Sequence, residues 1–551
     1  MRSNVAAASR PSRKRAGTSS ASSPPTARGA SNARITFACA FAIALALQAV
    51  APCDARILRA PSVRALLGSY ARAIADPDAP AIAHAQTTGT LSGEGSTGAF
   101  SSWQQGDDER TDETLGPRVD RTLRLGDRSF EQDANGDVRR LTGVLARRDR
   151  TQRFIDSSDF AKHPERCTYR GTTFVGSTRA YVLDVAADDG DTERLYLDAA
   201  TALPVRIAYD DDDGTTTVDL SDWRSIGGRR FPFRSVTSDG DHAFDLTQTT
   251  TSISLDVPIA PEVFSPFGAR TIDMSGSATI ALDWNEGHLY APVTIAGHRY
   301  LFLIDTGAQD IVLDARVAAQ LDLHPEGAIE ASGATRTGGL RVARLAELDV
   351  GAGRMHDLVV STIDLATSTR GAFRIDGILG YPFFAQALVR IDIANRSMTF
   401  GPPGSFAVAG DRLPLTLDRS FPETDLRIPG AAPAPFIIDT GNSDEVLLYK
   451  PFVDRHAGIV PYAVAIDNNY GIGGRTRSYR STLEQIDLGS TPIYHADTNV
   501  MLASRGAFAD RVDAGNVGLG VLKNFVMTFD YANDALYLEH GADFDDGRLR
   551  V

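Results

Sequence analysis

The chain is predicted to be mainly β, with an N-terminal antiparallel sheet followed by two similar β lobes. Two observations carry that prediction. Short alternating segments separated by turn dipeptides fill the first half, and the second half repeats its own pattern. At 551 residues the chain is too long for one hydrophobic core, and 42% hydrophobic with 23% charged residues is ordinary for folded, water-exposed protein. The formal charge is −14, although the first 34 residues hold seven Arg or Lys and no acid. The rest is therefore more acidic still, which argues against nucleic acid as a partner, because phosphates need clustered cations.

Residues 1–55 read as a leader and signal peptide. Ile35 to Val50 is an unbroken apolar stretch preceded by Arg28 and Arg34, and Ala49-Val50-Ala51 or Cys53-Asp54-Ala55 offers small residues for cleavage. Export to the periplasm or the exterior follows. A retained anchor is the alternative and the only membrane contact expected, although the run is shorter than a comfortable span. Residues 56–84 are assigned to a short helical segment and linker, with Ser62 as the N-cap.

Residues 85–268 are assigned to the antiparallel sheet. Asn135-Gly136, Asp189-Gly190, Asp213-Gly214 and Asp239-Gly240 punctuate strand-like pieces such as Arg179 to Val185 and Leu203 to Tyr209. The acid cluster Asp210 to Asp213 reads as a hairpin tip, with no spaced ligand series for calcium. Cys39, Cys53 and Cys167 are the only cysteines, too few for a disulfide framework, and Cys167 reads as an inert, half-buried thiol. His163, Glu165 and Cys167 resemble a loop more than a zinc site, so no metal is assigned. This region weakly resembles the curved sheet of periplasmic lipoprotein carriers, which implies a module able to hold an apolar ligand or peptide.

From about Ile272 the repeat begins, with one lobe over 275–405 and the other over 406–551. Tyr300 to Ile304 runs into Asp305-Thr306-Gly307, and Pro435 to Ile438 runs into Asp439-Thr440-Gly441, 134 residues later. A second apolar piece follows each triplet, then a glycine-rich stretch, then Arg-Gly-Ala-Phe (370–373 and 505–508). Each half next reaches a glycine element, matched here as Ile378-Leu379-Gly380 with Gly518-Leu519-Gly520, and closes on a β-strand pair.

The segment Ile304 to Leu313 and its partner Ile438 to Leu448 are similar to the active-site segments of retropepsin-like and pepsin-like aspartic peptidases. The resemblance covers about residues 275–540. It implies a bilobal, pseudo-two-fold β-barrel fold in one chain, with a built-in pseudo-dimer and a monomeric protein. Asp305 and Asp439 would then be the catalytic pair. Two carboxyl groups in contact cannot both ionise cheaply, so they share a proton, and the pair can activate water against an amide without metal or cofactor. Gly307 and Gly441 would allow a tight turn that brings backbone N–H groups to the carboxylates. In the family's arrangement, Thr306 and Thr440 bond across to the opposite lobe. Asn442, where the first half has Ala308, is a candidate donor to Asp439, making Asp439 the ionised base and Asp305 the acid.

Two glycine-rich stretches are candidate substrate-covering hairpins, through Gly333, Gly338 and Gly339 in one and Gly471, Gly473 and Gly474 in the other. The expected activity is hydrolysis of peptide or protein substrates by an exported endopeptidase. The alternative is a noncatalytic envelope protein that binds peptide or lipid on a retained scaffold. A third reading makes residues 56–265 a block on the cleft of a zymogen.

Overall fold

The computed structural model describes residues 60–544, apart from 212–213, 333–335, 368–374, 418, 462–464, 472–473, 505 and 542–543. The leader with its apolar run, Cys39, Cys53, Asp212, Asp213, Gly333, Gly473, Arg370 to Phe373 and Arg505 lie outside the described residues. Among the described residues no helix is long and apolar enough to cross a membrane.

The helix expected near residue 59 spans Val63–Ile74, and the Ser62 hydroxyl accepts a hydrogen bond from the Ala65 N–H at 3.2 Å. Leu66, Leu67 and Tyr70 are its buried face. They pack on Leu183, Val185, Leu195, Leu197 and Ile207 of the sheet, where alternation of the side chains turns one face inward. A second helix, Gly143–Asp156, was not legible in the sequence: it is rich in Arg and buries only Thr151 and Ile155.

Thirteen antiparallel strands form the curved N-terminal sheet. The first, His84–Gly93, pairs both with its hairpin partner Ser96–Gln105 and with the last, Leu246–Leu255. That central pairing fuses two meanders, 84–140 and 167–255, into one surface. The Asn135-Gly136 turn is a hairpin tip as expected, with Gly136 at φ 78°. It is not a solvent tip, however, because Asn135 is only 4% exposed. Its side-chain amide donates to the Val359 carbonyl at 3.1 Å and accepts from the Val359 N–H at 2.8 Å, so one side chain mimics a neighbouring strand. Gln386 donates to Asp137 Oδ1 at 2.9 Å beside it. These contacts dock the sheet on the first lobe.

Each lobe has a sheet of its own, and both use the same local plan. In the first, strand His298–Ile304 runs parallel to Gly377–Leu379 with Phe302 opposite Gly377 and Ile304 opposite Leu379. In the second, Ala434–Ile438 runs parallel to Gly515–Val517 with Phe436 opposite Gly515 and Ile438 opposite Val517. The strand after each triplet, Val312–Asp314 or Val446–Tyr449, pairs antiparallel on the other side of the same short strand. A short central strand thus clamps both ends of each Asp-Thr-Gly turn.

This register corrects the glycine match made from sequence. The counterpart of Ile378-Leu379-Gly380 is Asn516-Val517-Gly518, two residues earlier than Gly518-Leu519-Gly520. The Asp305 N–H donates to the Leu379 carbonyl at 3.2 Å and the Asp439 N–H to that of Val517 at 2.9 Å, which places Gly380 and Gly518 in equivalent positions. Sequence favoured the later triplet because Leu519 is apolar and Gly520 a glycine, whereas Asn516 breaks the apolar pattern.

A six-stranded sheet joins the lobes. At its centre Leu388–Asp392 lies antiparallel to Phe525–Asp530, with Val389 opposite Phe529 and Asp392 opposite Val526, so each lobe supplies one strand of the middle pair. Phe384 meets Phe529 edge-on at 5.3 Å, in a continuous core that extends through both lobes.

Candidate active site

Each candidate aspartate ends a buried apolar strand, which fixes where its side chain emerges. Phe302, Ile304, Phe436 and Ile438 are fully buried. The chain then turns at Gly307 or Gly441, and each glycine N–H donates to its own aspartate Oδ1 at 2.9 Å. The two turns meet head on. A Cβ built on Gly307 would lie 2.7 Å from Asp439 Oδ1, and one on Gly441 would lie 2.2 Å from the Asp305 carboxyl carbon. Only the absence of a side chain lets the carboxyls of opposite lobes approach, and they hydrogen-bond to each other.

Thr306 and Thr440 lock this approach. The Thr306 hydroxyl donates to the Ile438 carbonyl at 2.6 Å and accepts from the Thr440 N–H at 2.9 Å. Reciprocally, the Thr440 hydroxyl donates to the Ile304 carbonyl at 3.0 Å and accepts from the Thr306 N–H at 3.0 Å. Both threonines are fully buried, so these four bonds form away from water, where an unpaired partner would be costly.

The carboxyls are not electrostatically equal. Burial, and then the neighbouring Asp439 charge, push Asp305 well above the ordinary carboxylate range. Burial also raises Asp439, to about 6, but the N–H groups of Gly441 and Asn442 and a hydrogen bond from Asp305 hold it back. A pair of this kind titrates as a unit and carries one proton over a broad interval.

Asn442 does not donate its side chain to Asp439, as sequence suggested. Its Nδ2 donates to Asn516 Oδ1 at 2.8 Å, and Asn516 Nδ2 donates to Asp439 Oδ2 at 2.9 Å. Asn442 is held one step further back because its own Oδ1 accepts the Asp444 N–H at 2.9 Å. Sequence reasoning passed over Asn516; the signal available was a polar residue two places before a glycine in the second half, where the first half has Ile378.

The candidate covering stretches are both hairpins. Glu326–Ser332 pairs with Arg336–Val350, placing Gly338 opposite Glu330 and Gly339 in the same strand. Ala465–Gly471 pairs with Gly474–Leu488, placing Gly471 opposite Gly474. The first hairpin is tied to the N-terminal sheet through the Ala328 N–H, which donates to the Glu94 carbonyl at 2.6 Å.

A second feature missed from sequence is a buried ion cluster in which Arg419 meets Asp510 at 2.8 Å, Asp513 at 2.5 Å and Glu423 at 2.7 Å. The Arg419 carbonyl also accepts from Gln309 Nε2 at 2.8 Å, which connects the cluster to the turn carrying Asp305. Burial pushes the Cys167 thiol up to about 11, leaving it a poor nucleophile at neutral pH. Among the described residues no group of three or more His, Cys, Asp or Glu is placed to hold a metal ion.

Residues 291–383 match the family model described as aspartyl protease. That segment contains the Asp305 turn and its short central strand, so the similarity to aspartyl proteases in sequence falls on the first lobe. No curated protein matches the chain. Among solved structures, an aspartic proteinase from Irpex lacteus is 15% identical, covering 48% of this chain and 98% of its own, with a TM-score of 0.32. A LolA superfamily protein from Nitrosomonas europaea is 13% identical, covering 38% of this chain and 99% of its own, with a TM-score of 0.26.

Proposed function

We propose that this protein is an aspartic-type endopeptidase in which Asp305 and Asp439 activate a water molecule against a peptide bond. The observation that carries the reading is the contact of two carboxyls from different lobes, fixed by the reciprocal threonine bonds. With one proton on the pair, the ionised member accepts a proton from the attacking water. The protonated member donates to the carbonyl oxygen as the tetrahedral intermediate forms, and proton return to the nitrogen releases the amine. Thr306, Gly307, Thr440 and Gly441 hold the geometry, and the hairpins bearing Gly338, Gly339, Gly471 and Gly474 are proposed to cover an extended substrate.

The test is a peptide-library digest across pH, with and without a transition-state mimic such as pepstatin. Cleavage should be inhibited by the mimic and fall by at least about 100-fold in Asp305→Asn, the usual scale of acid–base catalysis. Undiminished cleavage in that variant would assign the activity elsewhere. Export to the periplasm or exterior is part of the proposal, resting on the basic leader and the apolar run from Ile35 to Val50. N-terminal sequencing of the mature protein should begin just after Ala51 or Ala55, and an intact leader would contradict it.

A further inference from the structure

The lobes place opposite chemistry at one equivalent position. In the first lobe Ile378 is 1% exposed and packs among Tyr290, Val312, Leu365 and Ile375. In the second, Asn516 is 3% exposed and its amide reaches the candidate dyad. Both residues lie in the short central strand, opposite Leu303 and Ile437 respectively, so the difference is one of side chain and not of backbone register.

The polarity of the amide relay follows from its origin. The Asp444 N–H can only donate, so the Asn442 atom facing it at 2.9 Å is the oxygen. Asn442 must then present its NH2 to Asn516, whose acceptor oxygen is used in that contact. Asn516 is left with its NH2 toward Asp439 Oδ2. Gly518 makes room for the relay, since a Cβ there would lie 2.6 Å from Asn442 Nδ2. Asp439 thereby accepts from Asn516 on one oxygen and from the Gly441 N–H on the other.

We propose that Asn516, anchored by Asn442, is the positioning residue that makes the two carboxyls chemically unequal, keeping Asp439 as the carboxylate that takes the proton from water and leaving the shared proton on Asp305. This rests on the peptidase reading of the site. An N–H donor stabilises the ionised form of the acceptor and offers nothing to a protonated one. The titratable groups facing Asp439 are Asp305 from the first lobe and Tyr449 from the strand Val446–Tyr449. Asp510, Asp513 and Arg419 lie around Tyr449, whose hydroxyl is held neutral by burial and by the Asp513 and Asp510 charges. Tyr531 faces Asp305 and is likewise held neutral by burial.

The experiment is the pH profile of kcat/KM for Asn516→Leu, which gives the second lobe an apolar residue like that of the first. The acid limb should move up by about one pH unit, equivalent to losing one charge-assisted hydrogen bond. Asn442→Ala, which unties the relay without touching Asp439, should move it in the same direction by less. A folded Asn516→Leu protein with an unmoved acid limb overturns the proposal, because a merely structural role would change rate or stability and leave the limb in place. The same titration read by carboxyl 13C NMR, with Asp439→Asn as the assignment control, requires no turnover. A raised first titration there supports the proposal even if the wild type cleaves nothing, a result that would sink the peptidase reading alone. An unmoved NMR titration in both variants overturns the proposal whether or not the protein cleaves.

Discussion

Replacing Thr440 by alanine tests the link between the lobes most directly. The substitution removes one hydroxyl and two hydrogen bonds, each 3.0 Å long, and strands the Thr306 N–H and the Ile304 carbonyl at a fully buried position. A buried polar group left without a partner costs about 1–3 kcal/mol, so two of them give roughly 2–6 kcal/mol, with about 1 kcal/mol more from the missing methyl. An expected loss of about 5 kcal/mol is a large share of typical domain stability. Thr440→Ser keeps the hydroxyl and should cost only about 1 kcal/mol. Thr440→Val keeps the shape and should resemble alanine. Urea unfolding followed by Trp284 fluorescence, with Trp103 and Trp223 changed to Phe, reports on the first lobe without interference from the sheet. Thr306→Ala should cost about as much, because it unpairs the other two backbone groups of the lock, the Thr440 N–H and the Ile438 carbonyl. If alanine proves no worse than serine at Thr440, the crossed arrangement is not what joins the lobes.

Two further outcomes follow from the sheet and its docking. Glu193 lies on the inward face with Leu195 and Leu197, is fully buried, and burial raises its carboxyl to about 8. Its folded value is above its unfolded one, so its contribution to stability is whole below about pH 4.5 and is lost as pH rises toward about 8. Glu193→Leu should remove that decline, so the variant gains stability relative to wild type at pH 8 compared with pH 5; a gain equal at both pH values would refute the assignment. Asn135→Ala should cost roughly 2–6 kcal/mol by unpairing both backbone groups of Val359, and amide exchange at Val359 should accelerate; unchanged protection there would show that this side chain does not fasten the sheet to the lobe.

Local chemistry was legible in the chain itself. Alternation and turn dipeptides marked the antiparallel sheet, Ser62 marked the start of the first helix, and two apolar strands ending in Asp-Thr-Gly marked the duplicated lobes. These signals are readable because they depend on neighbours a few residues away: a side-chain period of two, a hydroxyl at a helix start, a turn that needs glycine. Pairing between distant strands left no such mark. It alone decided that Gly518 and not Gly520 answers to Gly380, that Asn516 and not Asn442 gives its side-chain amide to Asp439, and that the Asn135 turn is buried against Val359. Sequence spacing measures distance along the chain, whereas a hydrogen bond depends on distance through space, and only the folded register of both lobes converts one into the other.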